Sequence, residues 1–146
     1  MSLTKNELWE NVINGLQFSM AERAVCVEVH DEKTVRGKQA KKLGVAYTEF
    51  KADPDNLPDI KTKSVDLLVL DSLNETIVTE VYRDVIGSAS GNFTVLIFNT
   101  GPPQRIGKDV IAAIKGTDWH FEEIDVPMGA ILASRIKDAS LIFKAQ

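Results

Sequence analysis

Two acidic residues of this chain follow apolar segments, and α/β proteins place ligand-binding groups at such positions. Asp31 comes shortly after the apolar run 24–29, and Asp71 directly follows the run 65–70. A carboxylate at the carboxyl end of a parallel strand faces the crevice in which open α/β sheets bind ligands. His30 adjoins Asp31, but neighbouring side chains diverge on a strand or turn. The two are therefore predicted to be polar turn residues rather than a catalytic pair.

Three further kinds of residue could take part in chemistry. Asp53-Pro54-Asp55 offers carboxylates to a cation, although the same residues are typical of a turn. Cys26 is the single cysteine and lies inside an apolar segment, so it is predicted to be a core residue. His30 and His120 are ninety positions apart, and no metal-ligand spacing exists along the chain. We therefore expect no metal site and no catalytic residue.

Hydrophobic periodicity divides the chain into alternating helices and strands that would position these residues. Thr4 and Glu7 form a capping-box signature before a helix that is apolar from Leu8 to Leu16. Further helices are predicted at 34–43, 77–86 and 108–115, strands at 24–29, 45–51, 65–70, 93–98, 120–126 and 141–144, a weaker strand at 129–136, and loops at 53–58 and 87–92. This order predicts an α/β fold with a doubly wound, mostly parallel Rossmann-like sheet and an antiparallel C-terminal edge.

Composition limits the classes of function. The chain has 146 residues, 44% of them apolar, and a net charge of −4. We expect a single α/β domain over 1–146, in which 1–22 is an N-terminal helix and lead-in. The acidic balance does not favour nucleic-acid binding, and the basic residues Lys33, Arg36, Lys38, Lys41 and Lys42 are predicted to form a solvated helix face. No apolar stretch approaches the roughly 18 residues of a membrane span, and the N-terminus is polar. A cytoplasmic location is expected, since one cysteine fits a reducing compartment.

Several segments together resemble class I S-adenosylmethionine-dependent methyltransferases. The residues that carry the resemblance are the Ala-Asp-x-x-x-Leu-Pro segment 52–58, the Ser-x-Asp-hydrophobic strand 64–70, the glycine-containing turn 87–91, and the C-terminal segments 119–126 and 141–145. The resemblance implies that Glu28 or Asp31 would hold the cofactor ribose and that Asp53 would contact the adenine. These three residues are the expected cofactor-binding positions if the chain is an enzyme.

The beginning of the chain departs from that family. A glycine-rich turn normally follows the first strand, because glycine lets backbone N–H groups approach a ligand at a helix N-terminus. Between Gly15 and Gly44 the sequence has one glycine, Gly37, inside a predicted helix. Either 24–29 is the first strand, with 30–34 in place of the glycine loop, or the first strand is missing. Both alternatives argue against cofactor binding.

A shortened methyltransferase-like domain without the glycine turn is similar to the N-terminal domain of the anamorsin family. The resemblance is architectural, and it implies a docking module in cytosolic iron–sulfur cluster assembly whose partner is a diflavin reductase. The leading hypothesis is therefore a non-catalytic module that binds a protein and needs no cofactor. The alternatives are a methyltransferase with an unusual loop and a receiver-like signalling domain. The receiver hypothesis would use Asp31, Asp71 as phosphoacceptor, and Thr100.

Overall fold

The computed structural model describes residues 3–19, 24–32, 36–55 and 64–136, except for the side chains of 17–19. The helices are α1 (Lys5–Ser19), α2 (Arg36–Leu43), α3 (Glu75–Ile86) and α4 (Lys108–Lys115). The strands are β1 (Val25–His30), β2 (Ala46–Lys51), β3 (Val65–Asp71), β4 (Ala89–Phe98), β5 (His120–Ile124) and β6 (Ala130–Ser134). No helix in these ranges is long and apolar enough to cross a membrane.

The strands form one sheet in the order β2-β1-β3-β4-β6-β5. Strands β2, β1, β3 and β4 are parallel, while β6 pairs antiparallel with both β4 and β5. The order reverses direction after β2, so the crevice between the carboxyl ends of β1 and β3 is the switch point of the sheet. The predicted fold class, with its antiparallel C-terminal edge, is confirmed. β1 precedes α2 and lies centrally, which favours the alternative in which 24–29 is the first strand.

Each face of the sheet is covered by helices whose apolar residues were visible in the sequence. Helix α1 buries Leu8, Trp9, Val12, Ile13 and Leu16 on one face, together with Ala40 of α2. Helix α3 buries Ile77, Val78, Val81 and Val85 on the opposite face, where α4 adds Val110 and Ile114. The predicted capping box is present, since the Glu7 amide donates to Thr4 Oγ1 at 3.1 Å and the Thr4 amide donates to Glu7 Oε1 at 3.0 Å.

The structure corrects two details of the helices and strands predicted from the sequence. The loop predicted at 87–92 is mostly strand, because β4 begins at Ala89. The early part of β4 pairs irregularly, with Val65 opposite Ala89 but Leu67 opposite Thr94. Arg36 is not on a solvated helix face: it is 1% exposed. The predicted strand at 141–144 and part of the loop at 53–58 lie outside the described residues.

The turn before β6 packs closely on the segment that follows β4. Gly129 of this turn lies against Gly101, and no space is left for a side chain at Gly129. Gly129 has φ +77°, and a Cβ there would lie 2.6 Å from the backbone nitrogen of Gly101. We expect Gly129→Ala to lower the free energy of unfolding by about 2 kcal/mol, from left-handed strain and the displaced backbone. The measurement is urea unfolding, with Gly87→Ala as the control.

Gly87 is a suitable control because its φ is −69° and nothing lies within 4 Å of a built Cβ. Its substitution should change the free energy of unfolding by about 0.5 kcal/mol or less. Equal effects of the two substitutions would contradict the close packing of Gly129 on Gly101.

Candidate functional site

A crevice lies at the carboxyl ends of the central strands, where the switch point predicts ligand binding. Its volume is about 330 Å³, and it is lined by Lys5, Asp31, Glu32, Asp71, Leu73, Asn99 and Met128. That volume is at the lower end of the range for small-molecule sites. The residues come from α1 and from the ends of β1, β3 and β4, together with the turn before β6. The crevice is therefore assembled from segments distant in the sequence.

The centre of this region contains a buried arginine at the beginning of α2. Arg36 Nε lies 2.5 Å from Glu28 Oε1 on β1, and its Nη2 lies 2.7 Å from Asp71 Oδ2 at the end of β3. Arg36 Nη1 also donates to Asn6 Oδ1 of α1 at 3.2 Å. The guanidinium lies over the ring of Phe98, 5.3 Å from its centroid. One side chain thus connects β1, β3 and two helices.

A second cation reaches the same carboxylate from the first turn of α1. Lys5 Nζ lies 3.0 Å from Asp71 Oδ1 and donates to Asn99 Oδ1 at 2.9 Å. Asn99 Nδ2 donates to Asp71 Oδ1 at 3.1 Å. Asn99 is 2% exposed and has φ +64°, a left-handed conformation that asparagine tolerates better than most residues. Asp71 therefore accepts from three side chains, and two of those donors are charged.

These contacts determine the charge state of Asp71. Burial raises its pKa, but the hydrogen bonds and charges of Arg36 and Lys5 outweigh burial and hold the pKa below the ordinary aspartate value. A lowered pKa in the folded protein adds stability above the unfolded pKa of about 3.9. That stability is lost as the pH falls through the folded-state pKa.

The lowered pKa of Asp71 predicts how the effect of Asp71→Asn on stability depends on pH. We expect the difference in unfolding free energy between wild type and this variant to be constant from about pH 7 to 5 and to shrink below about pH 4. Urea unfolding at a series of pH values measures it. A difference that stays the same down to about pH 3 would show that Arg36 and Lys5 do not stabilise the ionised carboxylate.

A second polar cluster lies on β1 and β2. The Tyr47 hydroxyl donates to Glu28 Oε2 and lies 3.2 Å from Glu49 Oε2. His30 Nε2 lies 3.1 Å from the same oxygen of Glu49. Burial raises the pKa of Glu28, with Arg36 and Tyr47 opposing it, and burial with the nearby Glu28 charge raises the pKa of the Tyr47 hydroxyl. One ligand atom each of Glu28, His30 and Glu49 lie within 4.8 Å of one another.

The structure separates the residues that the sequence suggested for a cofactor. Glu28 is fully buried and paired with Arg36, so it does not face the crevice. Asp31 is at the rim, where its carboxylate accepts from Ser72 Oγ at 2.7 Å and from the Leu73 amide at 2.8 Å. Asp53 is exposed in a turn and accepts from the Asp55 amide at 3.0 Å. The structure brings Asp31 and Asp71 to one crevice, but it does not bring Asp53 there.

The structure also tests the predictions made for His30, Cys26 and Thr100. His30 contacts Glu49 while Asp31 contacts Ser72 and Leu73, so the neighbours diverge as predicted. The prediction that His30 is a turn residue is wrong, because pairing with β2 and β3 makes it the buried last residue of β1. Cys26 is fully buried, which with the nearby Glu28 charge raises the pKa of its thiol, and this confirms it as a core residue. Thr100 follows β4, but it is not among the residues that line the crevice with Asp31 and Asp71.

Sequence reasoning missed Lys5, Arg36 and Asn99 as members of the site. Arg36 was grouped with neighbouring lysines, and only its burial distinguishes it from them. The position of Asn99 directly after an apolar strand was the available signal, because such a residue faces the crevice.

The fold of this chain is a methyltransferase-like α/β fold. The crystal structure of a methyltransferase from Geobacter sulfurreducens is similar, with a TM-score of 0.58 and 10% sequence identity over 93% of this chain and 81% of that one. At that identity the likeness concerns the fold alone. Neither the protein-family profiles nor the curated proteins gave a match. The strand order also differs from the 2-1-3-4-5 order of receiver domains, because an antiparallel strand follows β4 in the sheet.

Proposed function

We propose that this chain is a non-catalytic methyltransferase-like module that binds a protein partner at its crevice. The observation that supports this most is the occupation of the switch point by the chain's own cations. Arg36 is 1% exposed and contacts carboxylates on both β1 and β3. Arg36 is not among the residues that line the crevice, so it would be displaced only by a cofactor that reached between these two strands. Leaving a buried charge without its partner costs about 3–5 kcal/mol, which opposes such binding.

The rim of the crevice has the composition of a protein-binding surface. Leu73 is 52% exposed and Met128 is 38% exposed, and they are the exposed large hydrophobic residues of the described chain. Both border the same crevice as Asp31 and Glu32. Apolar side chains beside carboxylates complement a partner segment that carries an apolar anchor next to a basic side chain.

Calorimetric titration with S-adenosylhomocysteine tests the non-catalytic part of the proposal. We expect no binding heat up to millimolar ligand. A micromolar site would overturn this part and support the methyltransferase alternative, in which Glu28 or Asp31 holds ribose and Asp53 holds adenine. Asp53→Ala would then abolish the heat if adenine binds as that alternative requires.

For the partner, the anamorsin resemblance supports a diflavin reductase in cytosolic iron–sulfur cluster assembly. The test is titration of the fluorescently labelled chain with a purified diflavin reductase. We expect saturable binding that the double variant Leu73→Ala/Met128→Ala weakens about tenfold or more, since truncation of buried interface anchors costs over 1 kcal/mol each. Asp84→Ala, an exposed position on α3, is the matched control.

The possible results separate the two parts of the partner proposal. Absence of binding would overturn the diflavin reductase as partner. Binding that the double variant leaves unchanged would overturn the crevice as the docking surface.

A further inference from the structure

We propose that Glu28, His30 and Glu49 form a binding site for one divalent transition cation of the Zn²⁺ type. The site follows from strand geometry. Glu28 of β1 is paired in register with Glu49 of β2, and His30 follows Glu28 by two positions. Side chains two apart on a strand share a face, so all three groups lie on one face of two adjacent strands. Their ligand atoms are within 4.8 Å of one another.

The two carboxylates of the cluster share one hydroxyl donor. Tyr47 has one hydroxyl hydrogen, and both Glu28 Oε2 and Glu49 Oε2 are close enough to accept it. His30 Nε2 can donate to Glu49 only while it carries the ring proton. Carboxylates directly opposite each other on adjacent strands repel. A bound cation would replace this repulsion with attraction, and the Tyr47 hydroxyl would remain available to one carboxylate.

The charges of the surrounding network do not supply the missing cation. The connected network contains the carboxylates of Glu28, Glu49 and Asp71 and the permanent cations Lys5 and Arg36, which sums to a charge of −1 when these groups are ionised and His30 is neutral. Lys5 and Arg36 both contact Asp71, whereas Glu49 lies against His30.

The ring of His30 is incompletely satisfied by the protein. Its side chain is 5% exposed, its Nε2 faces Glu49 Oε2 at 3.1 Å, and its buried Nδ1 has no hydrogen-bond partner in the described part of the chain. A neutral imidazole has one proton and two nitrogens, so in either tautomer one ring nitrogen presents a lone pair to which no described group donates. When the proton is on Nδ1, that lone pair is on Nε2, beside Glu49.

The donor atoms of the three residues determine which class of cation fits the site. One imidazole nitrogen and two carboxylates suit zinc and similar ions, whereas Mg²⁺ and Ca²⁺ prefer oxygen ligands alone. Zinc–ligand distances of about 2.0–2.2 Å require the ligand atoms to close to about 3.5 Å. Glu49 can make that movement, because its side chain is 28% exposed on the edge strand β2.

The experiment is titration of the full chain with Zn²⁺ by calorimetry, and with Co²⁺ by visible absorption. We expect one equivalent of metal to bind. The visible absorption bands of bound Co²⁺ should be those of a site with a nitrogen ligand. His30→Ala and Glu49→Gln should each weaken Zn²⁺ affinity at least tenfold, while His120→Ala and Glu80→Gln leave it unchanged. Glu49 is partly exposed, so Glu49→Gln decides the matter if His30→Ala does not fold.

Two results would overturn the site. One is the absence of Zn²⁺ binding at about 100 μM metal. The other is binding that His120→Ala weakens and Glu49→Gln does not. The site is independent of the docking proposal: S-adenosylhomocysteine and partner titrations test the crevice, and metal titration tests the cluster on β1 and β2.

Discussion

Arg36→Met is expected to lower the free energy of unfolding by about 3–5 kcal/mol, the cost of leaving buried charges without a partner. Methionine has a similar length and fills part of the volume, so the loss reports the ion pairs rather than a cavity. Without the guanidinium, Glu28 keeps Tyr47 as a donor, and Asp71 keeps Lys5 and Asn99. Urea unfolding followed by tryptophan fluorescence gives the measurement.

The control for Arg36 is Arg83→Met on α3. The Arg83 side chain is 66% exposed and lies 3.9 Å from Glu80, so its substitution should change the unfolding free energy by about 0.5 kcal/mol or less. Adding Glu28→Gln to Arg36→Met should recover part of the loss, because it removes the buried carboxylate charge that Arg36 had paired, whereas Asp71 still has Lys5. A loss below about 1 kcal/mol for Arg36→Met would contradict the central role of this network.

Trp9→Ala is expected to lower the free energy of unfolding by a similar amount, about 3–5 kcal/mol. Trp9 is fully buried in α1 and contacts the Tyr47 ring edge to face, with centroids 6.4 Å apart. Truncation leaves a cavity between α1 and the sheet. Because Lys5 and Asn6 are in the first turn of the same helix, a loosened α1 should also weaken their contacts with Asp71 and Arg36.

Trp119 remains as the fluorescent probe in the Trp9→Ala variant. Trp9→Phe should lose distinctly less stability than Trp9→Ala, since a phenyl ring fills most of the cavity. Leu73→Ala, at an exposed position, should change stability by about 0.5 kcal/mol or less. If Trp9→Ala resembled Leu73→Ala, helix α1 would not be an integral layer of the fold.

The sequence predicts more of the fold than of the site. Apolar periodicity predicted α4 with its observed bounds, and it predicted β3 to within one residue. The apolar residues that each of these elements buries are close together in the sequence, so a short stretch of the chain is enough to predict the element. The first half of β4 was predicted as a turn, because Ser90, Gly91 and Asn92 are turn formers. Ala89 nevertheless pairs with Val65 of β3, and the register then shifts to Leu67 opposite Thr94, so these residues form an irregular beginning of β4.

The site was less predictable because its contacts join residues far apart in the chain. Asp71 could be assigned to the crevice from the sequence, since it ends an apolar strand. Nothing in the spacing shows that Lys5 lies against it, 66 positions away. Arg36 had the same local signature as the neighbouring lysines, although Lys38, Lys41 and Lys42 are exposed. Glu28 and Glu49 face each other only because β1 and β2 pair in that register.

By itself, the sequence determined the layers of this protein: which segments are helices and strands, which face of each is apolar, and that the sheet is mostly parallel. Those properties depend on side-chain periodicity and backbone preference, which act over a few residues. The tertiary structure alone decided which charges are buried and which of them meet. Burial of a charge depends on whether a partner from a distant segment arrives to pair with it. Arg36 between Glu28 and Asp71 is the clearest instance, because its burial is stable only where both carboxylates converge.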